Sequence, residues 1–335
     1  MTLPRQPFAG RTPAPHEMVS VAPGIRWRSV PVPGPLGDVN CWLVDDGDGV
    51  AIVDTGYHND ATRDGWAAAL AGERVTRVIC THYHPDHSGL AGWLCREYRA
   101  PLVMTRVEWL ELHRFASGAD GVPEEIVDYW RAAGWTDDQI AQSIRGWSGY
   151  ARLVGAPPQS FRRIAEGDRL ALNGVDWRVV IGSGHSPEHA CLLDEHGGVL
   201  IAGDQVLPGV SPNVSVTLSE PEGDPLGDWL ASIAKLRSLD AGLLVLPGHG
   251  EPFYGLHERL DAMALVYERR FDRLHALLAE PRRVVDCFPA LFRRAIVPEM
   301  VSMATGETLS HLRRLELDGR ATREMRDGVW WFAAA

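Results

Sequence analysis

Short apolar runs separated by turn residues open the chain. Segments 19–22, 25–32, 40–45 and 50–54 read as strands, divided by Gly-Asp and Asp-Gly turns. Residues 1–18 before them are proline-rich and irregular. Val50-Ala51-Ile52-Val53-Asp54-Thr55-Gly56 has the continuous apolar character of a buried strand that ends in a polar turn. A helix is expected over 59–71, with Asn59 or Asp60 as its cap. A strand at 75–80, a helix at 89–98 and a short strand at 101–104 continue the alternation of sheet and helix.

The spacing then turns helical from 105 to about 155, in segments 105–116, 123–133 and 137–150. The last two open on Pro123-Glu124-Glu125 and Thr136-Asp137-Asp138. Trp109, Tyr129, Trp130, Trp135, Trp147 and Tyr150 lie in this insert, either as packing or as the aromatic face of a lid. Strand pattern returns at 160–164, 168–172 and 176–181, then as a hairpin of 190–194 and 199–202. A loop at 205–223, a helix at 224–239 and a strand at 243–246 follow. A helix over 255–279 places Leu256, Leu260, Met263, Tyr267, Phe271, Leu274 and Leu278 on one face. Residues 281–335 read as a separate winged-helix-like module. It has helices at 286–294 and 305–318 and a two-stranded wing turning at Arg326-Asp327-Gly328-Val329. The expected partition is an arm at 1–18, a main domain at 19–280 carrying the insert, and the module at 281–335.

Composition narrows the function classes. A chain of 335 residues, 45% hydrophobic and 23% charged, is ordinary for a globular enzyme. Its net charge, 33 − 44 = −11, argues against a nucleic-acid footprint. The single lysine, Lys235, leaves a Walker-type phosphate loop without its lysine and disfavours a Schiff-base mechanism. Cys41, Cys80, Cys95, Cys191 and Cys287 are scattered, with no C-x-x-C pair, which fits reduced thiols in a cytoplasmic protein. The first residues lack the apolar stretch of a secretion signal, and no run is long enough to span a membrane.

The chemistry gathers at Thr81-His82-Tyr83-His84-Pro85-Asp86-His87-Ser88-Gly89. His82 and His84 alternate, so they project the same way from extended backbone. Asp86 and His87 lie where the chain turns and can aim at a second point. Three further donors follow apolar runs beside glycine: His185, Asp204 and His249. Seven donors exceed the four of one tetrahedral zinc. They suffice for two divalent ions with a shared carboxylate, leaving positions for water. Two ions contribute +4, and Asp86, Asp204 and one hydroxide remove three, leaving about +1 at the site. Such a centre generates hydroxide at neutral pH and stabilises an oxyanion, as metal-assisted hydrolysis requires.

In this order and spacing, the chain resembles the metallo-β-lactamase superfamily over roughly residues 19–255. The resemblance implies an α/β protein with a four-layer αββα sandwich and its site at one edge of the two sheets, which makes 19–280 the catalytic domain. It implies that His82, His84 and His185 hold one metal, that Asp86, His87 and His249 hold the other, and that Asp204 bridges. Asp54 would support the site by hydrogen bonding. Zinc is the expected metal, with iron and manganese as alternatives. Gly203-Asp204-Gln205-Val206-Leu207, Leu246-Pro247-Gly248-His249-Gly250 and the C-terminal module resemble the β-lactamase-like-protein-2 branch, near the glyoxalase II type of thioester hydrolase.

The function this implies is hydrolysis of a small carbonyl ester, a thioester first, by hydroxide held between the ions. Asp86 would be the catalytic residue that orients it or moves its proton. A carboxylate at 204, where some lactamases use cysteine, lowers the case for a lactamase. Gln205-Val206-Leu207 lacks the tyrosine that the acyl-homoserine-lactonase type places after its bridging aspartate, which weakens a lactonase. An endoribonuclease or phosphodiesterase would need a basic track, yet 281–335 holds nine arginines against seven acids. An iron-dependent dioxygenase would leave good ligands unused. Arg313 and Arg314 are accompanied by Glu307, Glu316 and Asp318, so the tail reads as a packing or homodimerisation module rather than a DNA reader. The expected partner is a small-molecule substrate, with neither nucleic acid nor membrane. His189 is either a supporting residue or a turn histidine, and Asn213 either orients a substrate carbonyl or closes a turn. His58 either faces the cleft or is a solvated loop histidine, and His113, His196, His257, His275 and His311 read as structural or solvated.

Overall fold

Period-two burial on both faces builds two sheets. A computed structural model describes residues 5–14, 17–32, 37–118, 121–147 and 151–335. Strands β1 (Val19–Ala22), β2 (Ile25–Val30), β3 (Val39–Asp46), β4 (Gly49–Val53), β5 (Val75–Ile79), β6 (Leu102–Met104) and β7 (Arg162–Arg163) form the first sheet in chain order. β1 to β4 pair antiparallel, and β4 to β7 pair parallel. The second sheet has the order β12-β11-β10-β9-β8. Its strands are β8 (Arg169–Leu172), β9 (Val175–Gly182), β10 (His189–Asp194), β11 (Val199–Gly203) and β12 (Leu244–Pro247). β11 and β12 run parallel; the other neighbours are antiparallel.

Alternate residues point to opposite faces, which sorts the first sheet into two cores. Trp27, Trp42, Ala51, Val53 and Ile79 meet Trp177, Val179, Leu192, Ile201 and Leu246 of the second sheet in one buried cluster. The sheets therefore pack face to face, with Trp27 and Trp42 stacked at 6.0 Å. Val30, Cys41, Leu43, Ile52 and Val78 point the other way. They meet Trp66, Leu70, Leu90 and Leu94, on and beside the helices Asp60–Ala69 and Ala91–Glu97. Asn59 starts the first of these by accepting the Thr62 amide.

The chain forms two compact units, neither contiguous in sequence. One comprises 1–118, 149–212 and 237–260; the other comprises 119–148, 213–236 and 261–335. The insert is divided between them. Helix Arg106–Ala116 belongs to the first unit, where Trp109 stacks on Phe161 at 4.7 Å and donates to the Pro158 carbonyl. Helices Glu124–Ala132 and Asp137–Gly146 belong to the second. There Trp130 and Trp135 stack at 4.8 Å, Trp147 meets Trp130 edge-on, and the Tyr129 hydroxyl donates to the Val216 carbonyl. These aromatics pack a core with Leu274, Leu278, Leu312 and Phe332; Tyr150 lies outside the described residues.

Within 281–335 the helices differ from expectation. The helix expected at 286–294 is a 3-10 turn at Val285–Cys287 followed by a single α-turn, Phe288–Leu291, which ends where Phe292 becomes extended. The helix expected from 305 starts at Val301, led in by the turn Pro298–Met300, because proline pre-sets the helical φ. Its polar Glu307, Ser310 and His311 are buried beside Leu309 and Leu312, which hides the helical period from the sequence. The wing forms as expected, from β14 (Ala321–Arg326) and β15 (Val329–Ala334), with Asp327 and Gly328 both at positive φ. A strand not anticipated, β13 (Arg282–Arg283), pairs with β15. None of the five cysteines forms a disulfide and all are buried, and no helix among the described residues is long and apolar enough to cross a membrane.

Ile201 is fully buried between the sheets, whereas Leu110 is 52% exposed. Ile201→Ala is expected to cost about 2–5 kcal/mol and Leu110→Ala less than about 0.5 kcal/mol. Urea unfolding of the two variants checks this, and equal losses would contradict the face-to-face packing.

Candidate metal centre

Strand direction brings the donors to one edge. Asp54 ends β4 and Thr81-His82 follow its parallel neighbour β5. Asp204 follows β11, and His249 follows the parallel β12. β9 runs in the same direction as β11, so Ser183-Gly184-His185 leaves at that edge too, and β10 starts there with His189. Crossing bonds tie the edges together: Asn40 N donates to the Gly248 carbonyl, Asn40 Nδ2 to the Pro247 and Gly250 carbonyls, and Ala190 N to the Thr81 carbonyl.

One triplet is made of imidazoles alone. His82 Nε2 lies 2.9 Å from His84 Nδ1, which lies 3.1 Å from His185 Nε2; the third edge is 3.2 Å. Ligand nitrogens about 2.0–2.1 Å from a tetrahedral zinc are about 3.3–3.4 Å apart, so the triangle matches a cation's coordination face. Thr81 Oγ1 donates to Asp54 Oδ2 at 2.9 Å and accepts from His82 Nδ1 at 3.0 Å, leaving His82 Nε2 as a lone pair.

The other triplet mixes charge. Asp86 Oδ2 lies 3.2 Å from His249 Nε2 and 3.7 Å from His87 Nε2. His87 Nδ1 donates to Asp54 Oδ2 at 2.8 Å, and His249 Nδ1 donates to the Asp38 carbonyl at 3.0 Å. Each Nε2 is thereby turned inward. Asp204 faces both triplets: Oδ2 is 3.6 Å from His185 Nε2 and 3.7 Å from His249 Nε2, and Oδ1 is 3.3 Å from His87 Nε2. His87 Nε2, His249 Nε2 and Asp204 Oδ1 are buried without a hydrogen bond. Buried polar atoms that converge unbonded are what two divalent ions would satisfy, so the donor set fits such ions.

The protein's own field divides the set. Burial, reinforced by the neighbouring imidazoles, holds His82 well below the usual histidine range and pushes His84 down to about 3. Burial opposes charging of His87 and His249 as well. The carboxylates of Asp204 and Asp86, with Asp54 for His87, outweigh it and raise both. Asp204 is buried, yet His87 and His249 hold its carboxyl below the ordinary range. His84, Asp86 and His185 are the half-buried members, so the centre opens on their side.

All seven expected donors thus meet, in the groups His82/His84/His185, His82/His87/Asp204 and Asp86/His87/His249. Glycine permits the closeness at Gly248, where a Cβ would lie 2.1 Å from Asp204 Oδ1. Asp54 carries the support expected of it, in a left-handed backbone at φ 62°. His189 proves a supporting residue. Its Nε2 accepts the Asp204 amide at 3.1 Å, and its ring stacks on His82 at 4.8 Å. Asn213 belongs to the second unit, where it donates to Glu307 Oε2. His58 is exposed, and His113 bonds the Pro158 carbonyl. The roles of Thr81 and the Asp38 carbonyl had no signal in the sequence beyond Thr81 preceding His82.

His84→Ala and His249→Ala are each expected to keep about one of two ions per chain, read by elemental analysis. Chelation should lower Tm and added zinc restore it, because an ion bound only by the folded state stabilises that state. Two ions retained in both variants would remove the assignment.

Comparison with known proteins agrees with this geometry. Residues 34–249 match the profile of the Metallo-beta-lactamase superfamily, and residues 271–335 match that of the Metallo-beta-lactamase-like, C-terminal domain. A crystal structure of a Beta-lactamase domain protein from Burkholderia ambifaria is 38% identical, with a TM-score of 0.92 over 99% of this chain and 98% of that one. A metallo-beta-lactamase family protein from Thermus thermophilus is 29% identical, with a TM-score of 0.81 over 94% of this chain and 100% of that one. Among curated relatives, the probable metallo-hydrolase YqjP of Bacillus subtilis is 26% identical over 90% of this chain and 95% of its own length. An atrochrysone carboxyl ACP thioesterase of Aspergillus fumigatus is 24% identical over 89% of this chain and 62% of its own length. The chain belongs to the metallo-β-lactamase superfamily and is a metallo-hydrolase of that family.

Proposed function

We propose that this hydrolase cleaves a thioester, using two zinc ions held by the seven donors. The observation that carries the dinuclear reading is Asp204, one carboxylate facing both triplets within 3.3–3.7 Å. Two divalent ions there would lower the pKa of water and polarise a carbonyl. The protein contributes orientation. Asp54, Thr81 and the Asp38 carbonyl hold the rings of His87, His82 and His249 by the nitrogen on the far side, so each Nε2 already faces the site. Asp86 is half-buried, on the side where the centre opens, and its carboxylate is kept below its ordinary range by His87 and His249 in spite of burial. An ionised carboxylate at that position is placed to orient the attacking water and move its proton.

Thioesters are favoured over the other carbonyl esters because a relative spanning most of the chain is named an ACP thioesterase. The net charge of −11 weighs against a phosphodiester polymer as substrate.

A hydrolysis panel of thioesters, lactones, β-lactams and phosphodiesters with the zinc-loaded protein tests the reading. Thioester turnover is expected to dominate, with His84→Ala and Asp204→Ala each losing about 10³-fold or more in kcat/KM. Undiminished turnover in both variants excludes the metal mechanism, and preference for another bond type excludes the thioester.

A further inference from the structure

Glu108 lies in the first turn of helix Arg106–Ala116 and is completely buried, although a carboxylate is costly to bury. Its partners are specific. Oε1 accepts from Ser186 Oγ and from the Glu188 amide, each at 2.7 Å, and Oε2 accepts the Tyr83 amide at 3.0 Å. Tyr83 separates His82 from His84, and Ser186 follows His185. A single carboxylate thus joins the two stretches that carry the all-histidine triplet, which lie about 100 residues apart in the chain. Glu188 returns the grip: its carboxylate accepts the Val107 amide at 3.1 Å, and its carbonyl accepts from Thr105 Oγ1 at 3.0 Å.

Two members of the other triplet have holders of their own. His87 is held by Asp54 and His249 by the Asp38 carbonyl. An apolar residue at 108 would fill the same volume but would leave the Tyr83 and Glu188 amides buried without acceptors. Burial pushes the Glu108 carboxyl up to about 7 against the pull of its three donors, a penalty that core packing alone does not call for.

We propose that Glu108 is a positioning residue. It sets the distance from the His82/His84 pair to His185, and so the affinity of the first ion site, independently of the second. The inference rests on the dinuclear reading above. Partners that hydrogen-bond a metal ligand are worth about 10–100-fold in affinity, and Glu108 acts on the ligands through the backbone and hydroxyl beside them.

The test is zinc binding by the full chain, followed by competition with a chromophoric chelator, together with the Tm of each metal-free protein. Glu108→Gln keeps the volume but sets an NH₂ donor against one of the donors. Ser186→Ala removes one of the three bonds. His84→Ala marks which binding step belongs to the all-histidine triplet. Glu108→Gln is expected to weaken that step about 10–100-fold and Ser186→Ala to weaken it less, with the second step and the metal-free Tm held. An unchanged first step in Glu108→Gln overturns the proposal, as does equal weakening of both steps with a fall in metal-free Tm. If Glu108→Gln fails to fold, Ser186→Ala decides by the same criterion. A wild-type chain that takes up fewer than two ions overturns the dinuclear reading itself, whereas two ions with an insensitive first step overturns only the role of Glu108.

Discussion

Ring nitrogens crowded against one another govern this molecule. Three of them lie within 3.2 Å of each other, and two carboxylates stand beside them. Such a set does not assemble by its own attraction; the surrounding backbone has to impose it. Bonds on the far sides of the His82 ring, and of the His87 and His249 rings beside it, do part of this. Thr81, Asp54 and the Asp38 carbonyl each take one ring nitrogen and turn the other inward. Asp54 accepts from Thr81 and His87 together, and this holds it in a left-handed backbone conformation that costs about 1–3 kcal/mol elsewhere.

The sandwich makes such imposition possible because its strands end together. Parallel pairing of β4 with β5 and of β11 with β12 delivers Asp54, His82, Asp204 and His249 to one edge. Close-packed sheets transmit position well, so the shared inner core of Trp27, Trp42 and Trp177 keeps the two edges in register. At the contact itself, side-chain volume becomes the limit. Gly248 leaves room for Asp204, and Gly203, at φ 48°, leaves room for the His189 ring.

Polar groups inside the second unit are held in the same way. Trp130 and Trp135 stack within its core, and Glu307 is held there by Arg270 and Asn213. The burial of Glu307 explains why the C-terminal helix was harder to read than the insert, whose helices 106–116, 124–132 and 137–146 lie where the spacing puts them. A helix whose polar residues are also buried has no polar stripe to reveal its period.

The donors themselves were legible because ligand chemistry restricts residue type. Histidine and aspartate concentrated at 82–87, and repeated beside glycine at 185, 204 and 249, have few other reasons to occur in that arrangement, and strand 50–54 announced the scaffold by its continuous apolar run. The division of the insert between two compact units was not legible, since periodicity marks a buried face without naming what covers it. Glu108 was invisible for a related reason. In sequence it is one of two acids, with Glu111, on its helix. Only folding carries the Tyr83 amide and the Ser186 hydroxyl, about 100 residues apart, to the same carboxylate. The sequence by itself determined which atoms are offered as donors, through their chemistry. The tertiary structure decided what holds those atoms still, because that depends on distances across the chain that no local pattern encodes.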